Sequence, residues 1–289
     1  MLLQYSSRQQ SRSKDAVGGN ADQQVGAVRR GTAAPGIRRR RIMKLVLLGT
    51  SGYHNTDRRQ TTCLMLPEIG VVFDAGTAFY RVRDLLRTSE LDVYLTHAHL
   101  DHCVGLTFLF TVLYQKEVTR TTVHGEAAKL ESIRQHLFHP DLFPVLPPLS
   151  WQPLGQQPIE LRGGGKLTWW PQKHPGGSLG YRIDWKDRSL AFVTDTIADL
   201  AADYVPRIRG VDVLIHECTF ADGYEELAEK SGHSCLTPVA QVARLANVGR
   251  LLLTHVDPTI ERERKIDIEV ARAVFPKTEM AEDGMVIEL

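Results

Sequence analysis

Residues 96–102 read Thr-His-Ala-His-Leu-Asp-His, and this heptapeptide constrains the fold more than any other stretch of the chain. His97, His99, Asp101 and His102 put three imidazoles and a carboxylate within six positions. The apolar run Leu91–Leu95 before them reads as a buried strand, and the apolar stretch Val104–Tyr114 after them reads as a helix. A strand-to-helix turn gives such side chains a rigid frame on both sides, which a metal cage needs. Imidazole nitrogen suits zinc, and a carboxylate among the histidines allows a second, harder position beside it. Only 11 of 289 residues are histidine, so H-x-H-x-D-H is improbable as a chance polar loop.

A chain of 289 residues with 43% apolar composition can bury a full core. It contains no run of eighteen apolar residues, so no membrane-spanning segment is expected. Cys63, Cys103, Cys218 and Cys235 are scattered without a C-x-x-C pair. That argues against a disulfide framework and fits a reducing cytoplasm. The net charge of +1 hides a division: residues 1–42 carry nine basic and two acidic side chains, leaving 26 basic against 32 acidic. The first 42 residues lack apolar periodicity and end near the run Arg38–Arg41, which is the composition of a disordered basic leader. Met43-Lys44, followed at once by Leu45–Leu48, reads as a natural start, and residues 43–289 as the folded domain.

Strands are expected at 44–48, 61–66, 71–73, 92–95, 121–123, 167–170, 179–184, 189–193, 211–215, 250–253 and 285–289. Helices are expected at 78–87, 103–115, 126–137, 198–208, 224–230, 238–246 and 261–274. The stretch 140–154, with five prolines, reads as a surface loop. Strands that follow one another directly and later alternate with helices suggest mixed sheets covered by helices.

Three further polar residues sit at strand ends. His174 follows the strand 167–170, Asp195 closes 189–193 in Val-Thr-Asp-Thr, and His255 closes 250–253. With the heptapeptide they supply seven donors, enough for two adjacent ions sharing one carboxylate.

In this set and order the chain from Met43 onward resembles the metallo-β-lactamase superfamily. The resemblance implies an α/β fold, a four-layer αβ/βα sandwich of two mixed sheets with the site at the sheet edges. It implies His97, His99 and His174 on one divalent ion, Asp101, His102 and His255 on the other, and Asp195 bridging. Zinc is the default, and two Asp ligands also tolerate manganese or iron. Asp74, in Val-Val-Phe-Asp-Ala-Gly, matches a position that orients a ligating histidine, or else it is an Asp-x-Gly turn. The segments Ile215-His216-Glu217-Cys218-Thr219 and Glu229-Lys230-Ser231-Gly232-His233-Ser234 resemble the ribonuclease Z branch. There His233, with Glu229 four residues earlier on the same helix face, would lie beside a scissile phosphate.

The reading is a dinuclear phosphodiesterase in which a metal-bridging hydroxide attacks phosphorus. Asp101 accepts a proton, and His233, supported by Glu229, assists the leaving oxygen. Only 21 positions separate His174 from Asp195, too few for the tRNA-binding arm of that branch, and the folded part is acidic. The substrate is therefore left open between an RNA 3′ end and a small or cyclic nucleotide diester. A thioester or lactone hydrolase on the same fold is the alternative, and homodimers are common among the related phosphodiesterases. His54, His124, His136 and His139 read as structural or surface residues, and His216 as packed behind the site.

Overall fold

The computed structural model describes residues 42–263 and 265–289, so the expectation of a disordered leader falls outside the described residues. Among the described residues fourteen strands form two seven-stranded sheets. In chain order they are β1 (Lys44–Gly49), β2 (Cys63–Leu66), β3 (Val71–Phe73), β4 (Glu90–Tyr94), β5 (Arg120–Gly125), β6 (Ser150–Pro153), β7 (Ile159–Glu160), β8 (Lys166–Gln172), β9 (Ser178–Asp184), β10 (Ser189–Val193), β11 (Val213–Glu217), β12 (Leu251–Thr254), β13 (Thr278–Met280) and β14 (Met285–Glu288). One sheet runs β14-β1-β2-β3-β4-β5-β6, the other β13-β12-β11-β10-β9-β8-β7. β3, β4, β5 and β6 pair in parallel, as do β10, β11, β12 and β13; the remaining pairs are antiparallel.

Side chains alternate across each strand, so a strand covered on both faces must be apolar throughout. β1 shows this: Leu45 and Leu47 enter the core between the sheets, while Val46 and Leu48 meet the helical segments outside. β10 repeats it, with Leu190 and Phe192 inward and Ala191 and Val193 outward. Three apolar layers result, one between the sheets and one under the helices on each side, which is the four-layer αβ/βα sandwich. Among the described residues no helix is long and apolar enough to cross a membrane.

An aromatic cluster fills the inter-sheet core below the functional edge, with Phe73 against Tyr181 (5.2 Å between centroids), Phe192 (6.0 Å) and Tyr94 (6.0 Å). Phe73→Ala is expected to cost about 3–5 kcal/mol. At roughly 2–4 °C per kcal/mol for a chain of this size, a thermal melt checks it.

The helical expectations needed correction where local chemistry competes. No helix forms over 198–208; the segment is a run of turns closed by bonds such as Val205 N to Ala202 O and Ile208 N to Tyr204 O. Pro206 removes a donor in its middle and steers Val205 away from helical angles. The helix expected over 103–115 is divided into Leu100–Cys103, a 3₁₀ segment Val104–Phe108 and Leu109–Leu113. Gly105 gives its N–H to Ala75 O (2.7 Å) instead of continuing a ladder. The segment 261–274 is two helices, Pro258–Glu263 and Ile268–Val274, because Asp267 caps the second through Glu269 N. The proline-rich stretch ends in strand β6, a sheet edge, where Pro153 breaks no ladder.

Candidate metal centre

All seven donors read from the sequence stand where strands end on one edge of the sandwich. β4 delivers His97 and His99, the helical turn Leu100–Cys103 carries Asp101 and His102, and β8, β10 and β12 deliver His174, Asp195 and His255. The start of the heptapeptide and the residue before it are tied to the second sheet: Tyr181 Oη donates to Leu95 O (2.6 Å), and Leu179 N to Thr96 O (3.0 Å). Asp74, Asp195 and His255 each have a left-handed backbone (φ 56°, 53° and 58°) within two residues of a strand's end. Such conformations cost a non-glycine residue of order 1–3 kcal/mol and persist where surroundings impose them, commonly at functional sites.

Two sets of donors meet at one carboxylate. Asp195 Oδ1 lies 3.7 Å from His97 Nε2 and 3.6 Å from His174 Nε2, and the latter is 3.3 Å from His99 Nδ1. Asp195 Oδ2 lies 3.2 Å from His102 Nε2 and 3.5 Å from His255 Nε2. Asp101 Oδ2 stands 3.3 Å and 3.4 Å from the same two nitrogens. Donors bonded to zinc at ~2.0–2.2 Å sit roughly 3.4 Å apart along the edges of a tetrahedron, which these separations match. Among the described residues His97 Nε2 is buried with no hydrogen-bond partner, a deficit of about 1–3 kcal/mol that a cation would remove. The residues present therefore fit a divalent metal.

A second layer of polar groups fixes the rings. Asp74 Oδ2 accepts from His102 Nδ1 (2.8 Å) and Thr96 Oγ1 (2.9 Å) while Oδ1 accepts from Thr96 N (2.7 Å), so Asp74 does orient a donor histidine. His174 Nδ1 donates to Gly232 O (3.0 Å) and His255 Nδ1 to Thr219 Oγ1 (3.1 Å). In each case Nε2 is left facing the centre. Burial pushes the pKa of His97 and His174 down, keeping them in the neutral form a cation requires. Burial opposes ionisation of Asp195, yet the surrounding imidazoles, His102 and His255 foremost, hold its carboxyl well below the usual range.

The partner of His233 is not the one that sequence spacing suggests. The helix Glu225–Ser231 stops at Gly232, whose φ of 75° turns the chain, so Glu229 and His233 do not share a helix face. Glu229 is exposed, and His233 Nδ1 donates instead to Glu217 Oε1 (3.0 Å) at the end of β11. Glu217 is fully buried and also accepts from Thr196 N (2.7 Å), Ser234 N (3.0 Å) and Thr219 Oγ1 (2.7 Å). Through Thr219 it reaches His255 as well. Burial disfavours charge on His233, but the Glu217 carboxylate and its hydrogen bond outweigh this and raise the imidazole to about 9. The ring stacks on His255 (5.3 Å) and lines a cleft of ≈ 410 Å³ with His99, Asp101, Asp195, Tyr53, Phe220 and Ile260.

Gly232 has no room for a side chain, because a Cβ there would lie 2.4 Å from Pro175 Cδ and 3.1 Å from His174 Nδ1. Gly232→Ala is expected to cost about 1–3 kcal/mol from backbone strain and to displace His174. Thermal melts and metal analysis check both effects.

The other histidines lie outside the donor sets. His216 is buried against Tyr204 Oη (2.9 Å), His124 stacks on Tyr94 (4.4 Å), and His54, His136 and His139 are exposed.

A family model described as a beta-lactamase superfamily domain matches residues 70–256. A ribonuclease Z of Synechococcus sp. (strain CC9605) is 28% identical, covering 86% of this chain and 98% of its own. Among solved structures, the metallo-beta-lactamase fold protein YhfI from Bacillus subtilis superposes with a TM-score of 0.69 at 20% identity, over 86% of this chain and all of that one. The short form of human tRNase Z gives 0.65 at 22% identity, over 85% and 98%.

Proposed function

Since this chain belongs to the metallo-β-lactamase superfamily and is a metal-dependent hydrolase of ribonuclease Z-like sequence, we propose that it hydrolyses phosphodiesters at a two-metal centre. The observation that carries the reading is Asp195 with one donor set on each carboxylate oxygen, and the His233–Glu217 pair beside it in the same cleft.

His97, His99 and His174 would hold one ion, Asp101, His102 and His255 the other, and Asp195 both, zinc being the ion these donors suit best. When bound, two divalent ions lower the pKa of water to supply a nucleophile at neutral pH and neutralise charge on phosphoryl oxygens. Asp101, fixed by the Tyr53 N–H (2.9 Å), is placed to accept the proton that water loses. His233 keeps Nδ1 on Glu217, which leaves Nε2 to donate a proton to the departing oxygen. Glu217 fixes the tautomer and favours the charged ring. An acyl hydrolase expelling a thiolate needs no such proton donor, so the pair favours phosphodiester chemistry. Only β9 and β10 occupy the chain between His174 and Asp195, which leaves no protruding arm for a structured RNA.

The test is a parallel assay of metal-analysed protein on bis(p-nitrophenyl) phosphate, 2′,3′-cyclic nucleotides, a tRNA precursor and a thioester. Phosphodiester turnover that chelation abolishes and metal restores is the expected result. Strong thioester turnover with no phosphodiester activity would overturn the proposal.

A further inference from the structure

The metal cleft shares a wall with a second depression. Tyr53 from the first loop and Asp257, Thr259 and Ile260 from the loop after β12 line the cleft. From the same two segments Thr56, Asp57, Arg58, Pro258 and Arg262, with Lys265, line a separate hollow of ≈ 280 Å³. Asp257, Thr259 and Ile260 thus face one and Pro258 and Arg262 the other, and with the first loop they form the ridge that divides them.

Among the described residues that line it, the hollow sets three cations against one carboxylate, Asp57. Several arginines elsewhere hold a carboxylate, namely Arg120, Arg162, Arg182, Arg250 and Arg272. Among the described residues, the side chains of Arg58, Arg262 and Lys265 have no ion-pair or hydrogen-bond partner. Arg59 points elsewhere, its guanidinium donating to Thr50 Oγ1 and Ala281 O (both 2.6 Å). On the ridge stands Tyr53, 75% exposed and held at φ 57°, an open aromatic face between hollow and cleft. An aromatic ring beside a basic groove is how single strands are bound without sequence preference.

We propose that Arg58, Arg262 and Lys265 form a subsite for a phosphate beyond the scissile one, so that the substrate is a single-stranded polynucleotide crossing the Tyr53 ridge. This rests on the phosphodiesterase reading and narrows it. The probe is a 5′-fluorescein-labelled octathymidylate, whose binding is followed by fluorescence anisotropy over a salt series. Charge removal at all three positions (Arg58→Gln, Arg262→Gln, Lys265→Gln) is expected to weaken binding at least about tenfold and to flatten the salt dependence by about the 0.7 per lost contact typical of single strands. Arg58→Lys with Arg262→Lys keeps the charge and is expected to retain binding within a few-fold.

Unchanged affinity and salt slope in the charge-removed protein would overturn the subsite, as would displacement of the probe by polyglutamate as readily as by unlabelled oligonucleotide. Bis(p-nitrophenyl) phosphate turnover by the unaltered protein reports separately on the phosphodiesterase reading. Turnover without charge-dependent binding removes the subsite alone. Charge-dependent binding without turnover removes the enzymatic reading alone.

Discussion

Asp195→Asn is expected to strip metal from both halves of the centre and to lower phosphodiester kcat/KM by roughly a thousandfold or more. That is the several kcal/mol that charge stabilisation by bound ions contributes. The expectation follows from position: Oδ1 faces His97 and His174 while Oδ2 faces His102 and His255. Removing the shared charge weakens both donor sets at once, whereas His255→Ala weakens mainly the set it belongs to. Asn is the better variant because it tolerates the left-handed backbone at this position, so lost metal is not confused with new strain. Metal analysis of the two proteins distinguishes the cases, and full occupancy in Asp195→Asn would remove the shared-ligand assignment. The fold is expected to survive, since three apolar layers stabilise it without metal.

His233→Ala is the second large effect, a loss of about a hundredfold or more in kcat with metal content unchanged, the usual range for a positioned proton donor. The loss is expected to shrink on p-nitrophenyl esters, whose leaving group departs with little protonation. Glu217→Gln acts in the same direction, because Glu217 holds His233 and, through Thr219, His255. Glu229→Gln is expected to leave kcat near the parent value, since Glu229 is exposed and lies beyond the turn at Gly232. The double variant at His233 and Glu217 is expected to be little worse than His233→Ala alone, as groups acting together are not additive. A large effect of Glu229→Gln with none from Glu217→Gln would reverse this assignment.

These outcomes follow the line between what the sequence shows and what only folding reveals. Strands such as Ser189–Val193 were legible because burial on both faces demands unbroken apolar runs. The edge strand Ser150–Pro153 was not, because it is largely exposed and sits among prolines. The seven donors were legible because strand ends placed them and their residue types are distinctive. Glu217 was not, even though it ends an apolar strand. Its partners, Thr196, Thr219, His233 and Ser234, come from separate segments, and no local spacing announces that convergence. Glu229 misled because i,i+4 spacing counts only while the helix continues, and Gly232 ends it.

Anomalous diffraction from crystals grown with zinc is the decisive experiment for a pair of ions divided by Asp195. Two peaks roughly 3.5–4 Å apart are expected. One should lie at ~2.0–2.2 Å from His97, His99, His174 and Asp195 Oδ1, the other at similar distances from Asp101, His102, His255 and Asp195 Oδ2. A single peak, or two peaks of which neither is bonded to Asp195, would rule out the shared-carboxylate centre.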